Sequence, residues 1–276
     1  MIKVSVPAKV NISLTVTKIN GKFHDLSSVV VSANIYDIVS LKKAGKDQII
    51  TLLYASAQTK IQHTIDAMRK DYGFGGVEIN SQKNIPLGGG LGGSSGVIAG
   101  VIRGINELYN LKLSIDKMIE YADLTGSDNA FMLFGGAGKI VGRSSVEDRF
   151  ECAPIDAVIA VQGFSDTQAV FSAFDEAPDF SQCNEQEIVS ALKERNIEKI
   201  LSLNKNTLTP FSAKFNPFVQ FALDNLAGSF MSGSGSAVVS LLQNDDSVIE
   251  KMVQNGYKIF KTRLGSYETK VEKTDE

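Results

Sequence analysis

The apolar and polar positions of this chain follow two periods. Segments rich in β-branched residues predict strands, with a break at Pro7 in the first of them; they are 4–16, 26–41, 77–79, 131–141, 156–161 and 238–242. Segments with apolar residues three and four positions apart predict helices; they are 56–72, 96–108, 114–124, 185–193, 197–203 and 248–254. Strands and helices do not alternate as regular βαβ units, which favours an α+β fold.

Two features of the pattern concern the organisation of the chain. A new apolar strand begins after residue 153, so we predict an N-terminal lobe over 1–152 and a C-terminal lobe over 153–276. The segment from Thr269 onward is charged, which predicts a frayed tail. With 43% hydrophobic residues in 276, the chain is able to bury a core of either one large domain or two lobes.

The segment 86–95, Pro-Leu-Gly-Gly-Gly-Leu-Gly-Gly-Ser-Ser, is the densest glycine run and is called the glycine loop below. Glycine lets a ligand approach the main chain closely, and a predicted helix follows at once. Free N–H groups and the helix dipole at such a junction favour anions. The loop therefore predicts a phosphate site, most simply for a nucleotide, and a flexible turn is the alternative. Its formal match to G-x-G-x-x-G is weak, because any glycine-dense run produces one.

Charge and cysteine content exclude some functions. The net charge of −3 argues against a broad nucleic-acid surface, which needs a basic face. Cys152 and Cys183 have no metal-site spacing and suit a reducing compartment. No apolar run approaches the roughly 18 residues that span a bilayer, and the first residues lack a signal-peptide pattern. We predict a cytoplasmic protein that acts without a membrane.

Four further places are candidates for chemistry. Lys9 lies in an apolar segment, so it is predicted to pair with a carboxylate or phosphate unless it is a solvated edge residue. Asp128 follows a glycine turn and either handles a hydroxyl proton or caps an ordinary turn. The segment 231–236, Met-Ser-Gly-Ser-Gly-Ser, either cradles a ligand or forms a tight hairpin. His24 follows the Asn20–Gly21 turn and alone is a weak candidate.

These segments occur in a recognisable order: Pro7-Ala8-Lys9-Val10-Asn11, Phe23-His24-Asp25-Leu26, the glycine loop, Gly126-Ser127-Asp128 and 231–236. Together they resemble the GHMP kinase superfamily. Within it they are most similar to the family of 4-diphosphocytidyl-2-C-methyl-D-erythritol kinases, whose late loop M-S-G-S-G-S is identical here. The motifs extend over nearly the whole chain.

The resemblance implies a ribosomal-protein S5-like N-terminal lobe, a ferredoxin-like C-terminal lobe and the use of ATP and Mg²⁺. It implies a catalytic pair, Lys9 and Asp128, that polarises and orients or deprotonates the acceptor hydroxyl. It places the nucleotide phosphates on Pro86, Gly88, Gly89, Gly90, Leu91, Gly92, Gly93, Ser94 and Ser95, with Ser95 near the metal. It places the small-molecule substrate beside Asn11, Phe23, His24, Thr167, Gly233 and Ser234.

Departures from the family pattern keep other hypotheses open. The glycine loop is one glycine shorter, and Lys22-Phe23-His24 replaces Gly-Tyr-His. A GHMP kinase for another alcohol, such as mevalonate, homoserine or a sugar, is therefore an alternative. A nucleotide-binding relative without catalysis is a second, although the presence of both Lys9 and Asp128 argues against it.

Overall fold

A computed structural model describes residues 1–21 and 23–274. Its strands are β1 (Ile2–Asn11), β2 (Thr15–Asn20), β3 (Phe23–Ala44), β4 (Gln48–Ile50), β5 (Gly76–Gln82), β6 (Ala137–Gly142), β7 (Ser145–Glu147), β8 (Ile155–Val161), β9 (Ser229–Met231), β10 (Val238–Ser240), β11 (Lys258–Gly265) and β12 (Lys270–Lys273). Its helices are α1 (Ala55–Tyr72), α2 (Gly93–Leu108), α3 (Ile115–Asp123), α4 (Asn129–Met132), α5 (Thr167–Glu176), α6 (Glu185–Glu194), α7 (Ile197–Leu203), α8 (Thr209–Phe215), α9 (Pro217–Asn225) and α10 (Asp246–Gln254).

The strands form one sheet with the central order β12-β1-β3-β11-β8-β10-β9. The 22-residue strand β3 is its axis, because it pairs with β1, β2, β5, β6 and β11. The β-branched segment 26–41, whose length suggests a pair of strands, lies within this one strand. The mixture of sheet and helices confirms the α+β prediction.

Strand β1 passes through the break that was predicted at Pro7. Its register against β3 shifts between Pro7 and Ala8, so a β-bulge takes up the proline, which has no N–H to donate to the ladder. The strand then continues to Asn11 and carries Lys9 towards the centre of the molecule. The predicted break is therefore an irregularity within one strand.

The charged tail is ordered as far as the structure describes it. Strand β12 pairs with β1, with Val4 opposite Val271, and the N-terminal ammonium donates to the Thr274 carbonyl at 2.9 Å. The prediction of a frayed tail from Thr269 is wrong for these residues, because backbone pairing to β1 outweighs their polar side chains. Residues 275–276 of that predicted tail lie outside the described part, as does Lys22.

Helices α1 and α2 cover the sheet beside β1 and β3. Ile61, Ile65 and Met68 of α1 are fully buried, as their helical spacing predicts. Helix α3 begins after Ser114, whose side chain accepts from the Lys117 N–H, which confirms the predicted cap. A second apolar cluster lies between the sheet and α6–α7, and a third lies under α5, α8, α9 and α10.

Other elements differ from the predicted pattern. Helices α5, α8 and α9 were not predicted, and the predicted strand 131–141 is the short helix α4 followed by β6. No helix in the described residues is long and apolar enough to span a membrane. The lobe boundary near residue 153 stays a prediction.

Candidate active site

The glycine loop has an alternating backbone that only glycine adopts easily. Gly88, Gly90 and Gly92 have φ values of +68°, +71° and +78°, in the left-handed region. Such alternation turns successive N–H groups towards one side and makes an anion-binding concavity. The φ values thus give a structural reason for the glycines at these three positions.

The carbonyl groups of the loop point the other way, into the protein. Gly88 O accepts from the Ser165 and Ser236 N–H groups, Gly89 O from the Ala237 N–H at 3.1 Å, and Gly90 O from Ser232 Oγ at 3.2 Å. Further along, the Lys9 N–H donates to Leu91 O at 3.0 Å. Every one of these carbonyls is therefore held by a neighbouring segment.

The N–H groups of the same loop remain open. Among the described residues, no backbone N–H from Gly88 to Ser95 donates a hydrogen bond. Helix α2 begins at Gly93, so its first N–H groups and its dipole face the same side as the loop. The glycine loop consequently offers a row of unused donors to an anion of the size of a polyphosphate.

The segment 231–236, here called the small-residue loop, supports the glycine loop from behind. Gly233 and Gly90 pack so closely that a Cβ on Gly233 would lie 3.0 Å from Gly90 O. The loop itself is tied down by Asn206 Nδ2, which donates to Gly233 O at 2.8 Å, and by Ser165 Oγ, which donates to Ser234 O at 2.6 Å. The hairpin alternative is borne out, because the segment connects the antiparallel strands β9 and β10, and the loop also contacts the glycine loop directly.

A buried ion pair anchors the start of helix α2. The ammonium of Lys83 pairs with Asp37, which is fully buried, and also donates to Gly93 O at 2.8 Å. Asp37 in addition accepts from the Asn84 and Ile85 N–H groups at 2.7 and 2.9 Å. Burial lowers the pKa of Lys83, and the Asp37 carboxylate opposes that change. The pair fixes the entry to the glycine loop against β3.

Lys9 and Asp128 meet although they are far apart in sequence. Lys9 Nζ lies 3.2 Å from Asp128 Oδ2 and donates to Asn11 Oδ1 at 2.6 Å. The Lys9 side chain is 4% exposed and that of Asp128 is 35% exposed. The prediction that Lys9 pairs with a carboxylate is confirmed. A buried ammonium beside a partly exposed carboxylate is suited to hold an alcohol and handle its proton.

One cavity adjoins this pair, and a second, smaller cavity shares part of its wall. The larger, of about 840 Å³, is lined by Lys9, Asp128, Phe23, His24, Gly233 and Ser234 among others. The smaller, of about 260 Å³, lies against Gly88, Gly90, Ser94 and Ser95. Five residues line both cavities: Lys60, Gly90, Thr125, Gly126 and Thr167. A third hollow of about 140 Å³ follows the glycine loop from Pro86 to Ser95, including Gly89, Leu91, Gly92 and Gly93.

The far end of the larger cavity is aromatic. His24 Nε2 lies 2.6 Å from Asp175 Oδ1, and the His24 ring packs on Phe171 with ring centroids 4.5 Å apart. Phe23 is 53% exposed, and the Arg143 guanidinium lies 4.1 Å from its ring centroid. This end suits a planar, polar ring, because such a ring stacks on aromatic side chains and forms hydrogen bonds with histidine.

The structure brings together most of the predicted site residues. Asn11 differs, because it is 3% exposed, accepts from Lys9 and donates to Ser28 Oγ at 2.8 Å, and so it positions Lys9. Thr167 joins the site through Ser234, with 2.8 Å between the two hydroxyl oxygens. Leu91 contributes its backbone, since its side chain is in the core.

Sequence reasoning missed Lys60, Arg143, Phe171 and Asp175. The last two lie on α5, which was itself not predicted. Lys60 could have been noticed, because it sits between Ala57 and Ile61 of the predicted helix, at the edge of the buried face.

The described residues contain no group of three or more His, Cys, Asp or Glu that could hold a metal ion. A Mg²⁺ ion commonly takes one or two protein oxygens and completes its shell with phosphates and water. The hydroxyl of Ser95 and the carboxylate of Asp128 are hard oxygen donors of that kind.

Comparison with known proteins agrees with the geometry. The family described as GHMP kinases N terminal domain matches residues 59–136, which include α2 and the glycine loop. A 4-diphosphocytidyl-2-C-methyl-D-erythritol kinase of Caldicellulosiruptor saccharolyticus is 31% identical over 251 residues, covering 86% of this chain and 87% of its own. The chain belongs to the GHMP kinases. As a GHMP kinase it is a phosphotransferase that uses ATP and an alcohol acceptor.

Another relative and two solved structures are similar over nearly the whole chain. A 4-diphosphocytidyl-2-C-methyl-D-erythritol kinase of Desulfitobacterium hafniense is 29% identical over 251 residues, covering 87% of this chain and 86% of its own. A crystal structure of 4-(cytidine 5'-diphospho)-2C-methyl-D-erythritol kinase superposes with a TM-score of 0.76 at 23% identity, over 96% of this chain and all of that one. A crystal structure of a homoserine kinase from Cytophaga hutchinsonii superposes with a TM-score of 0.69 at 19% identity, over 98% of this chain and 97% of that one. The fold prediction of a GHMP kinase is thereby confirmed.

Proposed function

We propose that this GHMP kinase transfers the γ-phosphoryl group of ATP to a hydroxyl of 4-diphosphocytidyl-2-C-methyl-D-erythritol. The observation that carries the proposal is the Lys9–Asp128 pair, 3.2 Å apart, in a cavity that shares Gly90 with the smaller cavity. The choice of acceptor rests on the names of the curated relatives.

Each side chain has a defined role in this proposal. Asp128 accepts a hydrogen bond from the acceptor hydroxyl and takes its proton, and its partly exposed carboxylate is accessible for that purpose. Lys9 is held by Asn11 and Asp128 and stabilises negative charge that develops on the acceptor oxygen. The glycine loop holds the phosphates on main-chain N–H groups. Phosphoryl transfer depends mainly on such positioning and charge neutralisation.

Ser95 and Asp128 are the residues that we expect to hold Mg²⁺. The ion, when bound, neutralises charge on the phosphates, and water and phosphate oxygens complete its shell. The stretch of the glycine loop that we expect to face the phosphates begins at Pro86 and extends to Gly93.

The acceptor end is assigned to the aromatic part of the larger cavity. His24, oriented by Asp175, and the rings of Phe23 and Phe171 would hold the cytosine, while Thr167 and Ser234 lie between them and the glycine loop. Arg143 over Phe23 covers part of that ring, which favours the second candidate, a GHMP kinase for a different alcohol.

Cysteines 152 and 183 are free thiols, in keeping with the cytoplasm as the predicted compartment.

The test measures ADP release from ATP and Mg²⁺ with 4-diphosphocytidyl-2-C-methyl-D-erythritol, beside mevalonate, homoserine and galactose. Turnover with the cytidylated alcohol alone supports the proposal, and turnover with another alcohol alone supports the second candidate. Asp128→Asn should lower the rate roughly 100-fold or more, because it removes the base. The matched variant Asp116→Asn, on the exposed first turn of α3, should leave the rate unchanged.

A further inference from the structure

Lys60 occupies the passage between the two cavities. It lies on α1 and is one of the five residues that line both cavities. Its helical neighbours Ala57 and Ile61 are buried in the core, and the Thr64 hydroxyl donates to its carbonyl at 2.9 Å. The backbone at Lys60 is thus fixed, while its long side chain is exposed to the cavities.

The ammonium group of Lys60 has no partner within residues 1–21 and 23–274. It makes neither an ion pair nor a hydrogen bond there, whereas Lys9 is occupied by Asp128 and Asn11, and Lys83 by Asp37. Here the described walls of both cavities leave it free for a ligand.

Charge around the passage makes that ligand an anion. Of the described residues that line the smaller cavity, Lys60 alone carries a charge. The glycine loop beside it supplies partial positive charge through N–H groups but no cation. A phosphoryl group in flight carries negative charge on three oxygens and is stabilised by a cation placed at its side.

We propose that Lys60 is a further catalytic residue, which contacts the transferred phosphoryl group where it passes from the nucleotide to the acceptor. The inference rests on the proposed phosphotransfer but not on the identity of the alcohol. Lys9 then stabilises negative charge on the acceptor oxygen, and Lys60 stabilises negative charge on the phosphoryl oxygens.

The first readout is nucleotide binding without any acceptor. Affinities for ADP and for a non-hydrolysable ATP analogue are measured by calorimetry on the whole chain. Lys60→Met should weaken the ATP analogue about tenfold and leave ADP unchanged, because one charge-assisted contact to the terminal phosphate is lost. Lys70→Met is the matched control on the exposed end of the same helix and should change neither affinity.

The second readout is turnover with whichever alcohol the wild type accepts. Lys60→Met should lower kcat about 10- to 100-fold, near the lower end for loss of one charge-stabilising group, with the acceptor KM unchanged. Lys60→Arg should recover most of the loss. Urea unfolding of each variant separates these effects from loss of the fold.

Two outcomes overturn the proposal, and a third separates it from the choice of acceptor. If Lys60→Met weakens the binding of ADP and of the ATP analogue equally, Lys60 contacts another part of the nucleotide. If neither the affinities nor kcat changes, Lys60 does not contact the transferred phosphoryl group. If the wild type phosphorylates none of the alcohols but Lys60→Met still loses the ATP analogue selectively, the proposed acceptor fails while the role of Lys60 stands.

Discussion

The contact between the glycine loop and the small-residue loop is best tested at Gly90. A Cβ added there would lie 2.3 Å from Ser232 O and 3.0 Å from Gly235 O, and the backbone has a φ of +71°. The left-handed conformation costs a non-glycine residue about 1–2 kcal/mol. Overlap with a packed backbone adds about 1–3 kcal/mol. Gly90→Ala should therefore lower the free energy of unfolding by about 2–5 kcal/mol.

Two other glycines separate the contributions. Gly73 ends α1 with a φ of +63° and has no atom within 4 Å of an added Cβ, so Gly73→Ala reports backbone strain alone. Gly45 has neither a left-handed φ nor a neighbour within 4 Å, so Gly45→Ala should be neutral or slightly stabilising. The three variants form a series from no effect, through strain, to strain with overlap.

The assay combines urea unfolding with nucleotide binding. Gly90→Ala relieves its overlap by moving the glycine loop, so at least one N–H contact to phosphate is lost and the affinity for ATP falls about tenfold or more. Gly73→Ala should bind ATP as the wild type does. If Gly90→Ala unfolds like Gly73→Ala and binds ATP with full affinity, the small-residue loop does not set the shape of the glycine loop.

Three further predictions concern neighbouring groups. Lys83→Met leaves the buried Asp37 carboxylate without its cation and should cost about 3–5 kcal/mol of unfolding free energy in urea; a loss near zero would show that Asp37 finds another partner. Asn11→Ala should lower kcat with little change in the acceptor KM if Asn11 positions Lys9, whereas a raised KM alone would place it against the acceptor. Although burial opposes it, hydrogen bonds from an arginine, a glutamine and a backbone N–H hold the pKa of Asp47 below its usual 3.8. The ionised Asp47 therefore stabilises the fold above pH 3.8, and this stabilisation is lost as the pH falls through the lowered pKa of the folded state. The difference in unfolding free energy between the wild type and Asp47→Asn should shrink in urea titrations from pH 7 to pH 3. A difference that stays constant over this range would contradict the prediction.

Local patterns predicted the elements whose own residues decide them. The spacing of Ile61, Ile65 and Met68 identified α1, and Ser114 identified the start of α3. Helices α8 and α9 were missed because each has a proline in its first turn, where proline is compatible with a helix although it often marks a break. Strand β12 was missed because its pairing with β1 depends on residues at the opposite end of the chain.

The site divides in the same way. The glycine loop was evident from composition, because its chemistry belongs to one continuous segment. The meeting of Lys9 with Asp128 followed only from a family resemblance, since β1 and α4 are brought together by the packing of the whole sheet. Asp175 and Phe171 gave no local signal, and Lys60 was visible only as a charge at the edge of an apolar helix face.

The proposed recognition of phosphate by main-chain amides has a consequence for the pH dependence of nucleotide binding. Amide protons do not titrate between pH 5 and pH 9, and the carbonyls behind them are equally inert. The capture of the nucleotide should thus vary with pH only as the phosphates themselves ionise. A pH dependence of the rate beyond that of the phosphates would then originate in groups outside the glycine loop.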